Sequence, residues 1–208
     1  DNDGADGRGV EYEQLISSIP LPVLVPMIAG VPPAVREAAA RLACSTCVLV
    51  NIGVNRQDIS EGHWTYFYDR DICFTRLSFP HMLSPHTVPP GCGSIQAEVY
   101  FSDKYKPLES SPDHWIQPVI DDLQGCGLLR PEDQVLFREA TLVPFANIIF
   151  DVDRPSALAT VNEYLDTTGI RTCGRYGEWG YHWTDESFVS GENAAQRALD
   201  ARPLARHG

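Results

Sequence analysis

The stretches VLVNIGV (residues 48–54) and SIQAEVYF (residues 94–101) indicate the fold class, because apolar side chains recur at every second position in both. The apolar side chains of the second stretch share one face: Ile95, Ala97, Val99 and Phe101. Its other face carries Gln96, Glu98 and Tyr100. A period of two with one apolar face is typical of antiparallel strands that bury one side of a sheet. We therefore predict an antiparallel sheet in the middle of the chain.

Helices and short strands flank this sheet in the sequence. Periodicity and turn residues predict helices over residues 21–28, 34–42, 112–123, 154–168 and 185–201. They predict further strands over residues 10–19, 43–54, 64–68, 73–79, 134–150 and 170–173, with a break in the fifth near Pro144. The predicted fold class is α+β: an antiparallel-sheet domain with helices, together with a short strand and a terminal helix of a separate α/β domain.

The composition is that of a folded protein, since 43% of the 208 residues are hydrophobic and 21% are charged. The net charge of −12 repels phosphate backbones and anionic lipid, which argues against binding to nucleic acid or to a membrane surface. The uncharged stretch over residues 19–35 contains five prolines, so no membrane-spanning helix is predicted. With no secretory signal in the sequence, we expect a cytoplasmic protein with reduced cysteines.

The cysteines and histidines do not predict a metal site. Cys44 and Cys47 form a CxxC, but three positions apart on a predicted strand they point to opposite faces. His81 and His86 flank a proline-marked loop without a third ligand nearby in the sequence. A role for His81 as a proton carrier stays open, because imidazole exchanges protons near neutral pH.

The densest group of chemically active residues lies in CGRYGEWGYHWTDESF, residues 173–188. Gly174 and Gly177 flank Arg175 directly after a predicted strand, where glycines let the backbone turn close to a ligand. Arg175 carries a planar set of donors that suits phosphate or carboxylate. The helix that follows, near Asp185, would turn its free backbone N–H groups and its positive dipole end toward an anion. The residues alone leave two interpretations open, namely aromatic packing around a turn and a ligand site.

This segment resembles the C-terminal flavin-binding motif of FAD-dependent oxidoreductases, in the group of protoporphyrinogen oxidases, amine oxidases and UDP-galactopyranose mutases. The matching residues are GRYGEW (residues 174–179), Tyr181, Asp185, Ser187, Gly191, Ala194 and Ala195. YEQLISSIPLP (residues 12–22) resembles the strand and loop where such chains leave the FAD domain, and residues 48–55 with 78–81 resemble the sheet of the substrate domain. The GxGxxG fingerprint of these families is not found among the 208 residues.

The resemblance implies that the chain is a substrate-binding domain plus the last strand and helix of an FAD domain. Residues 1–22 would be a lead-in and FAD-domain strand, residues 23–168 the substrate-binding domain, and residues 169–208 the FAD-contacting strand, loop and helix. The chain begins at Asp1 without Met, so we expect a fragment whose ADP-binding half is a missing N-terminal FAD-binding domain. We expect this chain alone not to retain FAD and, through exposed apolar faces, to favour homo-oligomers.

The resemblance further implies an FAD site built from three segments, with no catalytic residue assigned. The turn after the last strand would lie beside the flavin or its pyrophosphate, with two aromatic side chains walling the pocket near the isoalloxazine. The start of the final helix would face the ribityl and phosphate groups. The loop after the first strand, where the chain leaves the FAD domain, would approach the cofactor from another side. In that order the residues are Gly174, Arg175, Trp179 and Tyr181; Asp185, Glu186 and Ser187; Ser18, Ile19 and Pro20.

Three functions follow as hypotheses, each with a small-molecule substrate or ligand. The first is substrate oxidation with hydride transfer to FAD in the full-length parent enzyme, the isolated chain being inactive. The second is a sugar-mutase reaction in which reduced flavin acts as a nucleophile, and the third is a non-catalytic binding module. A basic pocket lined by Arg56, Arg70 or Arg76 would favour a nucleotide sugar, and an apolar tunnel would favour an oxidase.

Overall fold

The computed structural model describes residues 9–201. Its strands are β1 (Leu15–Ser17), β2 (Cys44–Val54), β3 (Trp64–Tyr66), β4 (Arg76–Ser78), β5 (Gly93–Phe101), β6 (Val135–Ile148) and β7 (Ile170–Thr172). Its helices are α1 (Leu21–Met27), α2 (Pro33–Arg41), α3 (Pro80–Leu83), α4 (Ile116–Gly125), α5 (Arg154–Thr168), α6 (Gly174–Gly177) and α7 (Thr184–Asp200). The described residues 9–42 and 150–201 form one compact unit, here the terminal unit, and residues 43–149 form a second, the sheet unit.

The sheet unit is built on a five-stranded antiparallel sheet in the order β3-β4-β5-β2-β6. β2 and β5 pair near its centre, with Val48 opposite Val99 and Ile52 opposite Ile95. The predicted alternation along β5 is confirmed, because its four apolar side chains are at most 5% exposed. α4 adds three buried side chains to the same core, Val119, Ile120 and Leu123. Each such burial contributes about 1.5–3 kcal/mol, and the α+β prediction holds for this unit.

The predicted break at Pro144 is not a break between two strands. β6 runs from Val135 to Ile148 at one edge of the sheet, where β2 is its neighbour. An edge strand tolerates proline, since one of its sides makes no ladder bonds. The register against β2 shifts between Ser45 and Cys47, and the Thr46 hydroxyl donates to the Pro144 carbonyl at 3.2 Å. The irregularity is therefore a shift of register within a single strand.

The terminal unit contains a two-stranded parallel sheet, in which β1 lies beside β7 with Leu15 opposite Ile170 and Ser17 opposite Thr172. α2 packs on α5, and α7 packs on both strands. α5 ends at Gly169 (φ 73°), as predicted, because this left-handed backbone favours glycine. The strand predicted over residues 10–19 is shorter in the structure, since β7 supplies a partner for only three of its residues.

The segment predicted as one helix over residues 112–123 forms two elements, a 3₁₀ turn at Pro112–Trp115 and then α4. Pro118 lies in the first turn of α4, where its missing N–H removes no intrahelical bond. The other four predicted helices begin and end within one residue of their predicted bounds. α3 and α6 are short helices that the sequence did not predict.

The two units meet in the sequence at residues 42/43 and 149/150. α1, α2 and α5 therefore belong to the terminal unit, although the sequence assigned residues 23–168 to one domain. The substrate-binding and FAD-contacting roles of these segments stay predictions. Among the described helices, none is long and apolar enough to cross a membrane.

Candidate functional site

The carboxyl ends of β1 and β7 bring together two segments that are far apart in the sequence. The Cys173 N–H donates to the Ser17 carbonyl at 3.0 Å. A Cβ placed on Gly177 would lie 2.8 Å from the Ser17 carbonyl oxygen and 3.3 Å from the Ser18 Cα. Glycine permits this approach, so the turn after β7 packs directly on the turn after β1. Ligands of open α/β sheets bind just beyond the carboxyl ends of parallel strands.

The turn after β7 is also anchored to α7. Gly174 has φ +72°, a conformation that favours glycine, and its N–H donates to Ser190 Oγ at 2.8 Å. Ser190 is buried on α7. The Glu178 N–H then closes α6 on the Gly174 carbonyl at 3.0 Å. The predicted site residues Gly174 and Arg175 therefore lie on a turn held by β1 on one side and α7 on the other.

Arg175 and Tyr181 form a cation–π pair on this turn. The guanidinium carbon of Arg175 lies 4.7 Å from the centroid of the Tyr181 ring. Tyr181 is 54% exposed, and the Trp183 ring meets it edge-on with the centroids 6.4 Å apart. The pair combines a half-buried cation with an exposed aromatic ring, which can hold a planar ligand that has acceptor groups on its edge.

Trp179 does not share that surface. Its side chain is fully buried, and its backbone has φ 49°, in the left-handed region that bulky residues avoid. The indole ring is therefore part of the packing and offers no open face to a ligand. Tyr181, rather than Trp179, is the aromatic side chain of the predicted pocket that the structure leaves accessible.

The start of α7 carries a concentration of negative charge. Asp185 and Glu186 lie in its first turn, beside Ser187, and the Glu186 carboxylate accepts the Trp183 N–H at 2.8 Å, so that it caps the helix. The two acidic residues and Glu178 line a cavity of about 310 Å³. The Asp185 and Glu186 carboxylates already complement the dipole of α7 and repel a phosphate. This turn suits hydroxyl groups, which can donate to carboxylates, better than a pyrophosphate.

The loop after β1 borders a second, larger cavity of about 490 Å³, which is lined by Ser18 and Ile19. Its apolar lining from β1 and α1 includes Ile16, Leu24 and Met27. This volume lies within the range of small-molecule pockets. Pro20 is not part of the lining; it precedes α1, whose first N–H groups its carbonyl accepts. The loop therefore contributes two of its three predicted residues to a cavity.

Arg56 belongs to an internal ion pair and does not line a basic pocket. Its Nε and Nη2 donate to the two carboxylate oxygens of Asp133, both at 2.8 Å, and Nη2 also donates to the Leu128 carbonyl at 2.8 Å. The Asp133 side chain is 4% exposed, and its hydrogen bonds with Arg56 lower its pKa to about 2. Arg70, another predicted pocket residue, lies exposed in the turn between β3 and β4.

This pair predicts a pH dependence of stability. The folded pKa of Asp133 lies below its ordinary value of 3.8, so the ion pair stabilises the fold above pH 3.8 and loses its effect as the pH falls toward 2. We expect this pair to lose about 1–2 kcal/mol of unfolding free energy between pH 5 and pH 2. Urea unfolding at a series of pH values measures it. Asp133→Asn should show a correspondingly shallower acid slope; an equal slope in both proteins would contradict the assignment.

Arg76, Glu98 and Tyr100 form a polar network on the sheet face opposite the apolar core. Glu98 is 4% exposed; it accepts from two nitrogens of Arg76, with Nε at 2.9 Å, and from the Tyr100 hydroxyl at 2.6 Å. Burial and the neighbouring Glu98 carboxylate raise the pKa of Tyr100, which keeps its hydroxyl a donor. On the same face Gln96 donates to the Asn51 amide oxygen at 2.9 Å. This face is polar and its Arg76 charge is paired with Glu98, so it is neither the basic pocket nor the apolar tunnel.

His81 and the cysteines have structural surroundings. His81 is 3% exposed; its Nδ1 accepts the Ser94 N–H at 3.0 Å, and its Nε2 lies 3.0 Å from the Gln57 carbonyl, so a single tautomer satisfies both nitrogens. That pairing argues against a proton carrier. All six cysteines are free thiols, and burial raises the pKa of Cys47 to about 12. Among residues 9–201 no group of three or more potential ligands could hold a metal ion.

Three residues that shape these surfaces were not identified from the sequence. Ser190 holds Gly174, Arg154 donates to the Trp179 carbonyl, and Glu98 organises the polar face of the sheet. Glu98 had a recognisable signal, since it is a carboxylate on the polar side of an alternating strand. Ser190 and Arg154 act through contacts between distant residues and left no local pattern.

Comparisons with known proteins place the fold. No family model matches the chain, and a search of curated proteins found no match. Among solved structures, a reduced UDP-galactopyranose mutase matches with a TM-score of 0.82 and 26% identity, over 91% of this chain and 41% of that one. A protein from Exiguobacterium sp. 255-15 described as a protoporphyrinogen oxidase matches with a TM-score of 0.67 and 15% identity, over 90% of this chain and 41% of its own. The chain thus spans about two fifths of either relative, and it has an FAD-dependent oxidoreductase-like fold.

Proposed function

We propose that this chain is the flavin-contacting and substrate-contacting part of a flavin-dependent enzyme. The observation that carries the proposal is the packing of Gly177 on Ser17 and Ser18, because it joins two predicted cofactor-contacting turns at the carboxyl ends of parallel strands. The likeness to a reduced UDP-galactopyranose mutase over 91% of the chain supports it.

The residues on these turns fit the flavin end of FAD better than its phosphates. Arg175, Tyr181 and Ser18 offer a cation, an exposed ring and a hydroxyl, which suit an aromatic ring system with carbonyl acceptors. Asp185 and Glu186 suit ribityl hydroxyls and oppose a pyrophosphate. We assign the isoalloxazine and ribityl parts to this chain, and the pyrophosphate and adenosine to a dinucleotide-binding domain outside the 208 residues. When bound, the flavin would supply the hydride acceptor or the nucleophile of the reaction.

The polar face of the sheet unit supports a hydroxyl-rich substrate, such as a sugar. Asn51, Gln96 and Tyr100 carry amide and hydroxyl groups there, and Glu98 neutralises Arg76. A sugar-mutase reaction is therefore the first candidate. Substrate oxidation with hydride transfer to the flavin is the second, and it is supported by the fold shared with the protoporphyrinogen oxidase.

A flavin titration tests the proposed site. We expect the purified chain to be colourless, because it lacks the pyrophosphate contacts, yet to quench the fluorescence of added flavin saturably. Riboflavin should bind nearly as well as FAD, since the assigned contacts stop at the ribityl chain. Arg175→Ala should lower the affinity for both flavins about tenfold, which is the loss expected for one hydrogen bond from a charged donor.

Arg36→Ala is the matched control, because it removes the same charge from an exposed position on α2 of the same unit. It should leave both affinities unchanged. An absence of saturable quenching, or equal losses in the two variants, would contradict a flavin site at Arg175. A strong preference for FAD over riboflavin would contradict the assignment of the ribityl end.

A further inference from the structure

Trp179 has a backbone conformation that needs outside support. It is the one non-glycine residue with a positive φ, 49°, in the part of the chain that the structure describes. A bulky side chain in this region persists where its surroundings hold it. The Trp179 carbonyl accepts from Arg154 Nε at 3.1 Å and also from Arg154 Nη2. Two donors of one guanidinium therefore bind the same carbonyl oxygen.

Arg154 is itself held in place. Its guanidinium carbon lies 4.1 Å from the centroid of the Phe150 ring, which is a close cation–π contact. Its backbone N–H donates to the Asp151 carboxylate at 3.0 Å at the start of α5. The donor that reaches Trp179 thus projects from a fixed point on a 15-residue helix.

The Trp179 carbonyl lies between two hydrogen bonds of the candidate site. The Glu178 N–H donates to the Gly174 carbonyl, and the Gly180 N–H donates to the Arg175 carbonyl, both at 3.0 Å. Trp179 connects these two amides, so a change in its backbone angles moves both bonds. Arg175 would then lose its position over the Tyr181 ring.

We propose that Arg154 is a positioning residue for Arg175: its two-donor contact with the Trp179 carbonyl holds the turn of residues 174–181 in its ligand-binding shape. Its effect on flavin binding rests on the proposed function, but its effect on the turn does not. Lysine cannot replace it fully, because an ammonium group lacks the planar pair of donors and stacks less well on Phe150.

Hydrogen exchange of the free protein tests whether Arg154 stabilises the turn of residues 174–181. In Arg154→Met, the amides of Glu178 and Gly180 should exchange more than tenfold faster, and in Arg154→Lys by an intermediate factor. Amides of Val161 and Leu165, buried on α5 of the same unit, should keep their rates. Unchanged rates at Glu178 and Gly180 would overturn the proposal. Equal acceleration on α5 would also overturn it, because it would indicate general destabilisation.

A riboflavin titration of a double variant tests whether Arg154 acts through Arg175. Arg154→Met should weaken binding, and Arg154→Met combined with Arg175→Ala should bind no worse than Arg175→Ala alone. If the losses of riboflavin affinity in the two single variants multiply in the double variant, Arg154 does not act through Arg175. If the unmodified protein binds no riboflavin, the proposed function fails, while the exchange experiment still decides whether Arg154 holds the turn.

Discussion

Replacing Gly177 with valine is expected to lower the free energy of unfolding by about 3 kcal/mol, the upper part of the range for overpacking. A Cβ at this position would lie 2.8 Å from the Ser17 carbonyl oxygen and 3.3 Å from the Ser18 Cα. Both are backbone atoms, and Ser17 is paired with Thr172 in the parallel sheet. Relief of the clash would separate the two strands, because no flexible side chain can move aside. Urea unfolding followed by circular dichroism measures the loss.

Gly191 supplies the matched control for this substitution. It lies within α7, and beyond the backbone of its own helix no heavy atom lies within 4 Å of the position that a Cβ would take. Gly191→Ala should therefore stabilise the helix by about 0.5–1 kcal/mol. A Gly177→Val protein that unfolds at the same urea concentration as the unmodified chain would contradict the close packing of the two turns. It would also remove the observation on which the proposed function depends.

Removal of Arg76 is expected to have the second-largest effect. Arg76→Met would leave the Glu98 carboxylate, which is 4% exposed, without its cation and with the Tyr100 hydroxyl as its remaining donor in this network. Breaking a fully buried pair costs about 3–5 kcal/mol. The Arg76 side chain is 38% exposed, so water screens part of this cost and we expect a loss of about 2 kcal/mol.

A double-mutant cycle separates the ion pair from the packing of Arg76. Glu98→Gln keeps the volume of the side chain and an acceptor for Tyr100, but removes the buried charge. The double variant should therefore recover about half of the stability lost in Arg76→Met. Strictly additive losses in urea unfolding would show that the Arg76 contribution comes from packing, for example from its position 5.9 Å from the Tyr66 ring centroid.

Local patterns predicted the elements whose limits depend on near neighbours. The alternation of residues 94–101 identified β5 and its buried face, because a period of two directly reflects which side chains leave water. Gly169 marked the end of α5 for a similar reason, since the left-handed conformation is a property of one residue. The length of β1 and the continuity of β6 were not predictable in this way, because a strand extends only where another strand pairs with it.

In the candidate site, too, the features set by adjacent residues could be predicted and those set by packing could not. The turn of residues 174–181 could be located because its glycines and Arg175 are adjacent in the sequence. Trp179 and Tyr181 were both predicted to wall the pocket, yet one is fully buried and the other 54% exposed. Burial depends on what packs against each ring, and a single segment does not contain that information.

Local sequence patterns were enough to predict the α+β composition, most helix limits and the position of the turn that carries the candidate site residues, because these features depend on residues a few positions apart. The tertiary structure alone decided that β1 and β7 pair in parallel and that Gly177 packs on Ser17 and Ser18. It alone decided that the charges of Arg56 and Arg76 are neutralised within the sheet unit. Each of these outcomes is a contact between residues far apart in the chain, and such contacts exist only once the whole chain has folded.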